Sequence, residues 1–165
     1  MTYNYKLQSD LVRKFNKMKN NVGIFYYTIK LNNYTCIKSF RFHVKKVLRD
    51  IRNQNMITNK EMKYIGVFET SSQLTKTNRL FEENIIDIGL HIHLFVSVPR
   101  WFTYETIRFP LVNRIDNHIM KRNSKVSMWI GDEKTDFDDI DRFVLYHTKQ
   151  FQDTRSKEFI LSNLK

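Results

Sequence analysis

The pattern of the 165-residue chain predicts an α+β fold, a ferredoxin-like sandwich with a central antiparallel sheet and helices packed on one face. Three observations lead there. Past a short N-terminal helix, β-branched and aromatic runs alternate with amphipathic stretches in the order β-α-β-β-α-β-α. The clearest strand, Gly89–Val98, has one wholly apolar face. No repeat and no Gly/Ser- or Pro-rich linker divides the chain, so residues 1–165 read as one domain.

Residues 8–19 form a short basic helix with Leu11, Phe15 and Met18 at helical spacing. Residues 22–31 (VGIFYYTIKL) read as a strand. Ser39 is placed to cap a helix running to about Asn53, with Phe40, Val44, Val47, Leu48 and Ile51 on one stripe and Lys45, Lys46, Arg49 and Arg52 on the other. Residues 63–69 (KYIGVFE) read as the second strand, and a polar loop from Thr70 to Asn84 leads to the third. Residues 103–121 carry Ile107, Leu111, Ile115 and Ile119 at helical spacing, and Pro110 must kink that helix or lie in its first turn. A short strand, Lys125–Ile130, precedes a last helix over residues 137–151. Helices on one side only would leave the other sheet face for a ligand.

Composition narrows the classes of function. A hydrophobic fraction of 41% and an aromatic fraction of 14% exclude a disordered basic tail. The single cysteine, Cys36, excludes a disulfide scaffold and a cysteine-rich zinc module. A formal net charge of +11 points to an anionic partner, nucleic acid or an acidic membrane surface. With neither an apolar leader nor a run of about 18 apolar residues, the chain is expected in the cytosol or nucleus of its host cell. Alanine is absent while Lys, Asn, Ile, Phe and Tyr abound, the mark of an AT-rich genome such as those of small mobile elements.

Strand parity singles out two histidines. Leu90, Ile92, Leu94, Val96 and Val98 point one way, and His91, His93, Phe95 and Ser97 the other. Imidazoles at i and i+2 lie about 6.5–7 Å apart and can converge on one cation. The same pattern also suits two half-exposed histidines on a wet sheet face. A third ligand must come from a neighbouring strand, and Glu69 ends the preceding one. Simple alternation groups Glu69 with Ile65 and Val67, so a bulge or twist would have to re-aim it, and Glu61, Glu82 and Glu83 compete for the role.

On the last expected helix, Tyr146 and Lys149 are spaced i, i+3 and are neighbours. A phenol with a reference pKa near about 10 is a poor nucleophile at neutral pH, so an adjacent cation is chemically useful. The bland reading is a tyrosine covering the core edge beside a solvated lysine.

Together these segments resemble the HUH endonucleases, specifically the single-tyrosine Rep proteins that initiate rolling-circle replication of small plasmids and viruses. Phe25-Tyr26-Tyr27-Thr28-Ile29 is similar to their first motif, His91-Ile92-His93-Leu94-Phe95-Val96 to the second and Tyr146-His147-Thr148-Lys149 to the third. Tyr64-Ile65-Gly66-Val67-Phe68-Glu69 resembles the strand that supplies an acidic ligand. The resemblance spans residues 22–152. It implies the HUH endonuclease fold and a nickase and strand transferase acting on single-stranded DNA at an origin, which a hairpin can present. His91, His93 and Glu69 would hold Mg²⁺ or Mn²⁺, Tyr146 would form a 5′-phosphotyrosine and release a 3′-OH, and Lys149 would neutralise charge.

The basic surplus suits that substrate. Lys45, Lys46, Arg79, Arg100, Lys121 and Arg122 could contact the backbone, and Trp101, Tyr104 or Phe95 could stack on bases, though each also reads as ordinary solvated surface or core. With no phosphate-binding loop and no helicase domain in the sequence, a host helicase and polymerase would be needed. A monomer or weak dimer without a membrane partner is expected. Two rivals stay open. One is a single-strand transposase of a small insertion sequence, suggested by Val98-Pro99 and Gln150. The other is a non-catalytic nucleic-acid-binding module using Phe25, Tyr27 and Phe95 as a stacking platform.

Overall fold

The computed structural model describes residues 5–18, 23–70, 89–131 and 159–164. In chain order these form α1 (Tyr5–Met18), β1 (Ile24–Asn32), α2 (Ile37–Gln54), β2 (Lys63–Thr70) and β3 (Leu90–Ser97). They continue with α3 (Tyr104–Ile115), a π-helical turn (Asp116–Met120), β4 (Ser127–Ile130) and β5 (Ile160–Ser162). The fold is α+β. Its five strands make one antiparallel sheet in the order β4-β1-β3-β2-β5. β1-α2-β2 and β3-α3-β4 are two interleaved units, each helix linking strands that flank a strand of the other unit.

Apolar periodicity places the main core. Phe40, Val44, Val47, Leu48 and Ile51 of α2 and Ile107, Leu111 and Ile115 of α3 are buried, as the helical stripes predict. They pack on Leu90, Ile92, Leu94 and Val96 of β3, with Tyr27, Ile29 and Leu31 of β1 and Tyr64 and Phe68 of β2. Thr103 opens α3 with a reciprocal capping box to Thr106.

The opposite sheet face is not left open along its whole length. Leu11 and Met18 of α1 pack there on Ile65, Val67 and Phe95. The expectation of helices on one face alone is therefore corrected: α2 and α3 cover one face, and α1 covers part of the other. The cause lies in β2, which is apolar on both parities and so needs cover on both sides.

Smaller differences have local causes. Ser39 does not cap α2; the helix starts three residues earlier, behind Cys36, without a side-chain cap bond. Pro110 sits inside α3, beyond its first turn. The helix expected through residue 121 ends at Ile115 and passes into the π-turn, with Ile119 still buried. β5 has no counterpart in the sequence reading, because three residues are too few to show a period. Asn163 anchors it: its side chain accepts the Tyr64 N–H at 2.8 Å and donates to the Met62 carbonyl at 2.9 Å. The expected helix over 137–151, with Tyr146 and Lys149, lies outside the described residues, as do Arg79, Glu82 and Glu83.

Candidate metal centre

Antiparallel register sets the candidate site in rows across β1, β3 and β2. Lys30, His91 and Glu69 form one row; Thr28, His93 and Val67 the next; Tyr26, Phe95 and Ile65 the third. Their side chains share one face by strand alternation. α1 covers the apolar end of this face, at Ile65, Val67 and Phe95. The polar end holds the two histidines and the glutamate.

Glu69 reaches the histidines without a bulge. The sequence reading required one because it took Ile65 and Val67 to face the main core. They instead face α1, so the plain alternation of β2 carries Glu69 to the histidine side, directly opposite His91. Glu61, the other described competitor, is solvent-exposed.

The donor geometry is close. Glu69 Oε2 lies 3.0 Å from His91 Nε2 and 3.4 Å from His93 Nε2. One donor atom from each of the three residues falls within 4.8 Å of the other two. Ligand atoms around a cation with bonds of about 2.1 Å stand about 3.0–3.5 Å apart, so both measured edges fit a shared ion. Glu69 is only 1% exposed. A divalent cation held by these three donors would compensate the charge of the buried carboxylate. His91 Nδ1 is buried with no hydrogen-bond partner among the described residues.

Residues of β1 orient the set. Tyr26 Oη is 2.6 Å and Thr28 Oγ1 3.4 Å from His93 Nδ1. For His93 to offer its Nε2 lone pair, Nδ1 must carry the proton and donate to Tyr26 Oη. The Tyr26 ring stacks on Phe95 at 4.6 Å, which limits its rotation. Lys30 lies across the register from His91. Gly89 leaves room for the Lys30 chain, because a Cβ there would collide with it. Tyr26, Thr28 and Lys30 had no assigned role in the sequence reading. Their signal was the parity of β1, readable only once β1 is known to pair with β3.

Among the described residues, the expected DNA contacts are not gathered at this site. Lys45 and Lys46 lie on α2, which packs on the opposite face, and Lys46 bonds Asp50 at 2.8 Å. Lys121 and Arg122 follow the π-turn, and Lys121 donates to Asn117 at 2.8 Å. Arg100 and Trp101 are exposed in the turn before α3, Trp101 at 59%. Tyr104 and Phe95 are buried and cannot stack on bases. The stacking platform of the binding-module reading is corrected likewise: Tyr27 and Phe95 are both fully buried.

Fold and site thus define an antiparallel α+β protein with a two-histidine, one-carboxylate donor set on three adjoining strands' shared face. No protein-family model, curated protein or solved structure matches the chain.

Proposed function

We propose that the protein is a metal-dependent nickase and strand transferase for single-stranded DNA, of the HUH replication-initiator kind. The observation that carries this reading is the convergence of Glu69, His91 and His93, the residues the motif resemblance singles out, within one buried donor set. The β4-β1-β3-β2 order also agrees with the ferredoxin-like arrangement that the resemblance implies.

Bound there, Mg²⁺ or Mn²⁺ supplies Lewis-acid polarisation of a phosphate oxygen. His91, His93 and Glu69 would hold the ion. Tyr26 fixes the His93 tautomer, and Lys30, on the same face, offers a positive charge to the phosphodiester. The Tyr146 phenol, after losing its proton, attacks phosphorus. The P–O bond to the 3′ oxygen breaks, that oxygen takes a proton, and the 5′ side remains as phosphotyrosine. Lys149 stabilises the phenolate. The return reaction rejoins strands without an added energy source.

The test uses end-labelled origin-type hairpin oligonucleotides with Mn²⁺. A covalent protein–DNA adduct that disappears with chelator and in Tyr146→Phe supports the reading. Binding with no adduct across such oligonucleotides overturns it in favour of a binding module. Excision of element ends by an obligate dimer would instead assign the same chemistry to a transposase.

A further inference from the structure

Across the sheet from the metal donors, a second cluster joins α2 to the π-turn. Arg114 at the end of α3, His118 in the π-turn and Arg122 just beyond it follow at four-residue steps in the sequence. His43 of α2 faces this row. Arg114 Nε donates to His43 Nδ1 at 3.0 Å, and the rings of His43 and His118 stack with centroids 5.2 Å apart. Because guanidinium nitrogen can only donate, His43 Nδ1 accepts, and the neutral ring keeps its proton on Nε2. Among the described residues, neither Arg114 nor Arg122 makes an ion pair.

That juxtaposition is electrostatically unfavourable by itself. Two guanidiniums eight residues apart bracket His118 and face the His43 ring of a second helix, and both disfavour a proton on either imidazole. Burial first, then Arg114, His118 and Arg122, hold His43 below its ordinary pKa. Desolvation, Arg114 and Arg122 lower His118 in the same direction. The π-turn that carries His118 is a rare backbone form that is frequent at functional sites. An oxyanion laid along the row would relieve the repulsion and meet several N–H donors.

We infer that Arg114, His118, Arg122 and His43 form a backbone-phosphate site for single-stranded nucleic acid on the helical layer, separate from the metal centre. A row of donors, rather than one closed pocket, suits successive charges of a polymer. The site needs no nicking chemistry and would function whether or not the metal centre does.

Fluorescence anisotropy with a labelled single-stranded DNA 25-mer, in chelator-containing buffer, isolates this surface from metal-dependent steps. Arg114→Gln/Arg122→Gln should weaken binding about tenfold and reduce the salt slope by about 1.4, two phosphates at about 0.7 each. His118→Asn, which keeps both guanidiniums, should weaken it less. The ring signals of His43 and His118 in NMR spectra should move on DNA addition and titrate at higher pH when bound. Unchanged affinity and slope in the double variant would overturn the proposal. So would ring signals that respond to inorganic phosphate alone as strongly as to DNA, which would make this a small-anion site. Glu61→Gln, an exposed carboxylate between α2 and β2, serves as the reference and should leave the salt slope untouched.

Discussion

Glu69 makes the sharpest claim at the scale of single residues. Its carboxylate is buried against two imidazole nitrogens, so an ion bound there would be linked to folding. Mn²⁺ at about a hundred times its Kd should stabilise the wild-type chain by about 2.7 kcal/mol. In a chain of this size that raises Tm by about 5–10 °C. Glu69→Gln should abolish the rise, as should His91→Ala; a rise that persists in both would remove the metal centre. Tyr26→Phe tests orientation rather than ligation. Losing the hydroxyl at His93 Nδ1 should weaken Mn²⁺ binding about 10–100-fold by calorimetry while leaving the stoichiometry unchanged. The two histidines were legible in the sequence because period-two alternation sets their face by itself. Tyr26 and Lys30 were not, because their place beside the histidines depends on the β1–β3 register, a long-range fact.

Helices and strands show how local pattern and tertiary cover divide the work. The stripe of α2 was readable residue for residue and that of α3 all but Tyr104, since a helix with one apolar side must bury it. β2 was ambiguous, since Ile65 and Val67 are as apolar as Phe68, and only the docking of α1 decides which core receives them. That docking rests on Phe95, which is fully buried. Phe95→Ala should therefore cost about 3–5 kcal/mol in denaturant unfolding, whereas Trp101→Ala, at an exposed site, should stay within about 0.5 kcal/mol. At the α2–π-turn junction the sign of the pH effect is fixed by His43. Its folded-state pKa is depressed, so just below about pH 6.5 the unfolded chain binds more protons than the folded one. Stability should decline as pH falls from 7 towards 5. The His43→Gln chain should show a shallower decline in thermal melts over that range, and equal slopes would show that His43 titrates alike in both states.

For the whole molecule, the proposed nicking and the proposed strand binding fall on different sheet faces. The donor set lies on one face, and the basic surfaces of α2 and the π-turn lie on the helical layer of the other. A net charge of +11 does not distinguish them, since it sums over both. Ionic strength does. Phosphate contacts release counterions, so affinity for single-stranded DNA should fall with a log–log salt slope of about −0.7 per contact. With about five contacts, raising salt from 50 to 200 mM weakens binding about a hundredfold. The buried donor set is screened far less over the same range. Binding should therefore survive chelation and be lost to salt, whereas adduct formation at saturating DNA should be lost to chelation and change little with salt. Gel-shift and adduct assays run as a salt-by-chelator grid separate the two. If chelator removed binding itself, the ion would be holding the DNA, and the division of labour between the faces would fail.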